Sequence, residues 1–501
     1  MSSTNYRMSV RELLQGRGDA GASGDIVVHG LALDSRRVET DDAFFALAGT
    51  HTHGITFAPA ASARGAAVIL ADTAGTEAPA SGVRPRDGAP VVWIDGLREQ
   101  LGALAARFFG EPSRALQIVG VTGTNGKTST VQLLAQALHH AGRGVATIGT
   151  LGAGMFGAVR EGERTTPDAL AVHGLLAEFR DAGAGYVAME VSSHALDQGR
   201  VNAVGFELAV FTNLTRDHLD YHSTMQAYGA AKQRLFSWPG LSAAIVNVDD
   251  AFGRVLAKVV GKGVALVRYG IERDDADVAA RRIESGATGL RFHLATPWGE
   301  GEVATRLLGR FNVSNLLAVA ACLGRLGFTF AQISAALAAL EPVAGRMNRI
   351  GGEAAQPLIV IDYAHTPDAL EQALASLRAH CAGRLICVFG CGGERDAGKR
   401  PQMGAIAETL ADRIVITDDN PRGESGDRIV GQIVDGLQHP ERAKVERNRA
   451  AAIMFAVDSA QAGDVVLVAG KGHEPYQEVA GVKVPFDDLA IAREALEARA
   501  C

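Results

Sequence analysis

The sequence predicts an α/β protein of three domains: a small N-terminal α/β domain (1–110), a central P-loop mononucleotide-binding sheet (111–344) and a C-terminal doubly wound, Rossmann-like domain (345–501). Three observations predict it. The 501 residues exceed what one hydrophobic core serves and fit about three domains. Short apolar runs ending in polar loops, with helical patterns between them, recur along the chain, as parallel strands joined by crossover helices require. The run Gly-Val-Thr-Gly-Thr-Asn-Gly-Lys-Thr, Gly120 to Thr128, follows apolar Leu116-Gln117-Ile118-Val119 and precedes a helical pattern through Val131, Leu134, Ala135 and Leu138. It reads as strand, glycine-rich loop, helix.

In the first segment, Ile26-Val27-Val28, Ala67-Val68-Ile69-Leu70 and Val91-Val92-Trp93-Ile94 read as strands. Leu33-Asp34-Ser35-Arg36 and Gly49-Thr50-His51-Thr52-His53-Gly54 gather hydrogen-bonding groups between them, and taken alone they read as turns. Gly75 to Pro90 is rich in Gly, Pro and Ala and reads as a loop.

The second segment opens on the glycine-rich loop. There the backbone N–H groups can turn inward around phosphates, Lys127 can reach the terminal phosphates and the Thr128 hydroxyl can ligate Mg²⁺. The spacing departs from the common G-x-x-x-x-G-K-[ST]: its first glycine would fall at Val121, whereas here it is Gly120, with Gly123 added. Three further strands end in polar clusters: Glu190-Val191-Ser192-Ser193-His194, Thr212 to Asp220, and Asn247-Val248-Asp249-Asp250. Ligands of open parallel sheets bind beyond such carboxyl ends. Glu190 and His218 offer a carboxylate oxygen and an imidazole nitrogen to a divalent cation; without a phosphate loop, a cap and a polar core position would explain them. Thr165-Thr166-Pro167-Asp168 has the pattern of a helix start, where an anionic substrate could also bind. Lys232 lies in a helical stretch and has no distinguishing local pattern.

The third segment repeats strand and loaded loop four times. Leu358 to Ile361 leads to Asp362-Tyr363-Ala364-His365, and Leu385 to Phe389 leads to Gly390 through Asp396. Arg413 to Thr417 leads to Asp418-Asp419-Asn420-Pro421-Arg422, and Val465 to Ala469 leads to Gly470-Lys471-Gly472-His473-Glu474. Arg395 and Arg422 suit carboxylates or phosphates, because a guanidinium binds such groups at two points. Surface salt bridges are the plain alternative.

A net charge of −7 argues against nucleic acid or an anionic membrane as partner, since either favours a basic face. The N-terminal stretch is polar and no run reaches membrane-spanning length, so a cytoplasmic protein with no membrane insertion is expected. Cys322, Cys381, Cys387, Cys391 and Cys501 show no paired C-x-x-C spacing. Neither structural zinc nor disulfides are expected, and Cys387 and Cys391 read as buried thiols.

With these loops assembled, the sequence resembles the Mur ligases of peptidoglycan synthesis over nearly its whole length. The matching motifs are Thr122 to Thr128, which includes the unusual spacing, Glu190 to His194, Asp217-His218-Leu219-Asp220, Gly309-Arg310-Phe311-Asn312-Val313-Ser314-Asn315 and Asp362 to His365. The resemblance implies an ATP-dependent ligase joining meso-diaminopimelate to UDP-MurNAc-L-Ala-D-Glu, with Mg²⁺ as cofactor, ATP as co-substrate and a monomeric state. ATP contacts are implied for Gly123, Thr124, Asn125, Gly126, Lys127, Thr128, Ser129, Asn312, Arg346 and Asp362. Leu33, Ser35, Thr50, His51 and Thr52 are implied to hold the uridine nucleotide; Thr165, Thr166, Ser192, Gln198 and Arg200 are implied to hold the muramoyl dipeptide. Arg164 stands where the family has an asparagine. Diaminopimelate is implied to bind Arg395, Asp419, Asn420, Pro421, Arg422, Gly470 and Glu474. The implied catalytic set is Lys127, Glu190, His218 and Lys232, with Thr128, Glu190, His218 and a carbamylated Lys232 on metal. A lysine-adding relative, a folylpolyglutamate synthetase and an inactive nucleotide-binding regulator are the alternatives.

Overall fold

The computed structural model describes residues 6–49, 52–75, 88–162, 164–286, 289–353 and 356–499. Its contacts group into two compact units. One comprises Met1–Thr122, Arg143–Ala209 and Ala231–Ser242; the other comprises Gly123–Gly142, Val210–Ala230 and Ala243–Cys501. Among the described residues, no helix is long and apolar enough to cross a membrane.

The first unit begins with a four-stranded parallel sheet in the order Gly30–Ala32, Asp42–Ala46, Val68–Asp72, Val91–Ile94. Alternation sends Phe45, Leu70 and Val92 to one face, against the helix Leu97–Phe108, and Phe44, Ile69 and Val91 to the other, against Ala58 and Ala61. Two of the three expected strands belong to this sheet. The third, Val27–Val28, instead pairs antiparallel with Met8–Ser9. The turn at Leu33 to Arg36 is a short 3-10 turn, Ser35–Arg37, because the Asp34 carboxylate accepts the Arg36 N–H at 2.9 Å.

The same unit holds Val145–Gly149, Tyr186–Glu190 and Gln117–Thr122, mutually parallel in that order. The ribbon Gly152–Met155 and Ala158–Arg160 extends the Val145–Gly149 side. The helix expected after Pro167 is Ala169–Asp181, and Asp168 caps it by accepting the Ala171 N–H at 3.0 Å.

In the second unit, Ala243–Asn247, Ala265–Gly270 and Val278–Gly286 run parallel, and Gly289–Thr296 and Gly299–Thr305 continue as antiparallel neighbours. The helix Arg310–Arg325, buried over most of its length, packs on Lys127–His140. The sheet of the third segment runs Asn348–Gly351, Leu358–Asp362, Val465–Ala469, Leu385–Phe389, Arg413–Ile416, Ala443–Val445, all parallel after the first pair. Pro367–Arg378, Lys399–Leu410 and Gly426–Val434 cover one face, while Arg449–Ser459 and Asp488–Ala498 cover the other. This is the expected doubly wound arrangement. Leu370, Leu374 and Leu377, at i, i+4 and i+7, are completely buried, each contributing about 1.5–3 kcal/mol. Cys387 and Cys391 are buried in this core as free thiols, and burial pushes the Cys391 thiol up to about 12.

Candidate active site

Gly120, the residue behind the unusual spacing, lies inside the strand Gln117–Thr122, not in the loop. A Cβ there would sit 2.8 Å from the Phe206 ring, so its role is packing. The loop proper begins at Gly123, whose φ of +150° and 1.9 Å approach of a built Cβ to Thr212 Oγ leave no room for a side chain. Thr212 donates to the Asn125 carbonyl at 2.6 Å, Asn213 Oδ1 accepts the Asn125 N–H at 2.9 Å, and the Asn213 carbonyl accepts the Thr124 N–H at 2.8 Å. The Thr212 to Asp220 cluster therefore meets the loop, as the strand-end argument expects. Lys127 Nζ folds back onto the carbonyls of Gly123 (3.0 Å) and Thr124 (2.8 Å). Thr128 and Ser129, both buried, open the helix Lys127–His140, whose N-terminus favours an anion.

Groups from the third segment border the same loop. Arg346 Nη2 donates to Thr128 Oγ at 3.2 Å while its guanidinium lies 4.4 Å from the Tyr363 ring centroid. Asp362 accepts the N–H groups of Met347 (2.8 Å) and Ala364 (2.9 Å). Burial raises its carboxyl pKa against the opposing pull of Arg346. Both its oxygens are thus engaged in shaping the turn that carries Arg346. Asn312 donates to the Leu308 carbonyl and accepts from Asn315. His218 takes a left-handed φ of +54° and lies 3.4 Å from the Asp217 carboxylate. Burial pushes Asp217 up, but His218, His365 and Lys127 together with the His218 N–H hold it below the usual range.

In the first unit the residues expected around the muramoyl dipeptide form one network with Glu190. The Glu190 carboxylate, 1% exposed, accepts the Thr150 N–H at 2.8 Å and the Thr150 hydroxyl at 3.1 Å. Thr165 Oγ lies 3.1 Å from the same hydroxyl. Thr166 Oγ donates to the Glu190 carbonyl at 2.8 Å and accepts the Ser192 N–H at 3.2 Å. Arg200 donates to the Thr166 carbonyl (3.0 Å) and to Gln198 Oε1 (2.6 Å). Lys232, near the end of the helix Met225–Gln233, is 1% exposed, unlike the solvated lysine that its local sequence describes. Of the uridine set, Leu33 packs against the N-terminal core, Ser35 is buried and Thr52 is exposed. Thr50 and His51 lie outside the described residues.

Of the residues expected to bind diaminopimelate, Asp419, Asn420, Gly470 and Glu474 meet in the second unit, whereas among the described residues Arg395 hydrogen-bonds to none of them. Asn420 and Asp419 are buried, and Asn420 Nδ2 donates to Glu474 Oε2 at 2.7 Å. A Cβ at Gly470 would sit 2.6 Å from Asp419 Oδ2, so this glycine admits the carboxylate. Pro421 is buried. Arg422 donates to the Gly393 carbonyl at 2.9 Å and lies 3.7 Å from Glu478. Arg395 is exposed and donates to its neighbour's carbonyl.

Three regions match domains described for the Mur ligases: the catalytic domain over 27–109, the middle domain over 121–323 and the glutamate ligase domain over 345–472. The chain is 54% identical over 496 residues to the UDP-N-acetylmuramoyl-L-alanyl-D-glutamate--2,6-diaminopimelate ligase of Xanthomonas oryzae pv. oryzae, covering 98% of this chain and 97% of that one. The chain belongs to the Mur ligase family. The Pseudomonas aeruginosa ligase of the same name is 50% identical over 477 residues, covering 95% and 96%. A solved structure of a ligase with that name is 36% identical, with a TM-score of 0.72 and 99% of both chains covered. MurF from Acinetobacter baumannii shares the fold at 20% identity and a TM-score of 0.68, covering 98% of this chain and 99% of that one.

Several groups that touch the expected residues had no individual signal in the sequence. Tyr228, completely buried, bonds Thr124 Oγ at 3.1 Å, and Thr150 caps Glu190. Lys471, also completely buried, bonds Asn420 and Glu474. Thr212 and Asn213 stood in a recognised polar cluster, and their position directly after an apolar strand was the available signal.

Proposed function

We propose that this Mur ligase is the ATP-dependent enzyme that joins meso-diaminopimelate to the D-glutamyl γ-carboxylate of UDP-MurNAc-L-Ala-D-Glu, in peptidoglycan precursor synthesis in the cytoplasm. Near-full-length identity to relatives named for this reaction supports the assignment. The observation that carries the amino-acid specificity is the Asp419 to Arg422 loop, with Arg422 and Glu474 at a strand-end edge. An arginine suits the far carboxylate that distinguishes diaminopimelate from lysine, and a site left with an unpaired charge can reject its competitor by roughly 10⁴-fold.

Segments 1–110, 111–344 and 345–501 serve, in this reading, the uridine nucleotide, ATP and the incoming amino acid, in a monomer. Leu33, Ser35, Thr50, His51 and Thr52 hold the nucleotide end, and Thr165, Thr166, Ser192, Gln198 and Arg200 the dipeptide. Gly123 to Ser129, with Asn312, Arg346 and Asp362, hold ATP. The D-glutamyl carboxylate takes the γ-phosphoryl group, forming an acyl phosphate and ADP. The amine of diaminopimelate then attacks the carbonyl carbon, the C–N bond forms, and inorganic phosphate leaves with the C–O bond pair. Lys127 offsets charge on the transferred group, and Arg395, Arg422 and Glu474 orient the amino acid.

Among the described residues, no group of three or more His, Cys, Asp or Glu makes a metal cage. The donors Thr128 Oγ, Glu190 and a carbamate on Lys232 are hard oxygens, with His218 as a nitrogen donor. Each of these oxygens is a donor of the kind Mg²⁺ accepts, an ion that takes few protein ligands and keeps water and phosphate oxygens. When bound, Mg²⁺ supplies charge neutralisation for the phosphates. The near-complete burial of Lys232 supports a modified, ligating lysine over a solvated one.

Phosphate release from the purified protein tests the reading. Release is expected only with ATP, UDP-MurNAc-L-Ala-D-Glu and meso-diaminopimelate together. Equal rates with L-lysine would overturn the specificity, and release without either acceptor would overturn the ligase assignment.

A further inference from the structure

Lys471 stands in the amino-acid cluster without a role in the reading above. Its side chain is 0% exposed. Nζ donates to Asn420 Oδ1 at 3.0 Å and to Glu474 Oε2 at 3.2 Å, and lies 5.5 Å from the Tyr476 ring centroid. Asn420 completes the arrangement: Oδ1 also accepts the Glu478 N–H at 2.9 Å, while Nδ2 donates to Glu474 Oε2 at 2.7 Å. One carboxylate oxygen of Glu474 is therefore held by two donors. That fixes the plane of the carboxylate and the direction of Oε1, to which the hydrogen bonds among the described residues assign no donor.

We infer that Lys471 is a specificity-determining positioning residue, which fixes Glu474 so that the site reads the configuration of the far stereocentre of diaminopimelate. The inference rests on the diaminopimelate reading given above. That carbon bears an ammonium, a carboxylate, a hydrogen and the chain. Arg422 matches the carboxylate and Glu474 the ammonium. With the chain direction set by the reacting end, two fixed polar partners distinguish one configuration from its mirror image. A Glu474 free to rotate follows the ammonium to either position, and the distinction is lost. Lys471 also offsets the Glu474 charge, so directed hydrogen bonding, more than net attraction, selects the ligand.

The test measures kcat/KM for meso- and LL-diaminopimelate with ATP and UDP-MurNAc-L-Ala-D-Glu, in wild type, Lys471→Met, Glu474→Gln and the double variant. Lys471→Met is expected to lower the meso:LL ratio at least tenfold. Loss of folded protein lowers both rates alike and leaves the ratio unchanged, so a merely structural role does not produce this result. In the Glu474→Gln background, where the carboxylate that Lys471 fixes is already gone, adding Lys471→Met is expected to change the ratio less than twofold, because Lys471 acts through Glu474. Where Lys471→Met does not fold alone, Lys471→Leu replaces it in both backgrounds and is read by the same outcomes. An unchanged ratio in Lys471→Met, an equal drop in both backgrounds, or no wild-type preference between isomers overturns the inference. A wild type that uses neither isomer overturns the diaminopimelate reading beneath it.

Discussion

Asn125, at the tip of the phosphate loop, donates through Nδ2 to Asp368 at 2.8 Å, a residue 243 positions further along the chain. Asp368 stands in the first turn of the helix Pro367–Arg378, so this bond ties the loop to the start of the third segment. Burial raises the Asp368 carboxyl pKa while Asn125 opposes the rise. Asp368→Ala is expected to raise KM for ATP about three- to tenfold, the loss of one or so hydrogen bonds of ordinary strength, and to leave KM for the UDP-linked substrate within twofold. Steady-state phosphate release with each substrate varied in turn checks this.

Gly123→Ala should abolish nucleotide binding, because its Cβ would need the space that Thr212 Oγ occupies. Thr212 in turn holds the Asn125 carbonyl. Titration calorimetry with ADP is expected to show at least a hundredfold weaker binding, with a far-ultraviolet circular dichroism spectrum like that of the wild type.

Arg449 and Asp488, both 0% exposed, meet at 2.7 Å, and Arg449 also donates to the Ala469 carbonyl. Removing one partner leaves a buried, uncompensated charge, so Arg449→Met should cost roughly 3–5 kcal/mol in urea unfolding. Adding Asp488→Leu should recover much of that loss. An Arg449→Met cost below 1 kcal/mol would contradict the account.

Burial, reinforced by the Lys399 ammonium, holds the His365 imidazole down at about 4. Its Nδ1 donates to the Tyr363 carbonyl at 2.8 Å. The unfolded chain binds this proton near pH 6.5 and the folded chain does not, so the stabilisation is complete above pH 6.5 and is lost as the pH falls toward 4. The group contributes a slope of up to about 1.4 kcal/mol per pH unit within that window. His365→Asn is expected to flatten the pH dependence of urea stability between 6.5 and 4 relative to wild type.

Legibility from sequence followed the locality of the signal. Buried parallel strands read as runs of Val, Ile and Leu, so Leu358–Asp362, Leu385–Phe389, Arg413–Ile416 and Val465–Ala469 were all visible. Asp42–Ala46 was not: it is buried throughout, with neither alternation nor a β-branched run, and its Ala-Phe-Phe-Ala does not distinguish strand from helix. The glycine-rich loop was legible because its chemistry is contiguous, whereas the assignment of Gly120 to that loop overlooked its packing against Phe206. Tyr228 meets Thr124 across 104 residues and Lys471 meets Asn420 across 51, and no local window contains both ends of those contacts, although the Lys471–Glu474 contact spans only three residues. Lys232 shows the same limit, since its burial depends on folding and not on its neighbours in sequence.

The division into two compact units bears on how the chain is made. It passes from one unit to the other after Thr122, Gly142, Ala209, Ala230 and Ser242, so neither unit is a continuous stretch. During synthesis the first unit lacks its last piece until Ser242 has left the ribosome. The helix Lys127–His140 must wait longer, for Arg310–Arg325, before its apolar face is covered. Nascent chains of intermediate length therefore expose core surface, and chaperone demand should be greatest while the stretch between those two helices is being translated.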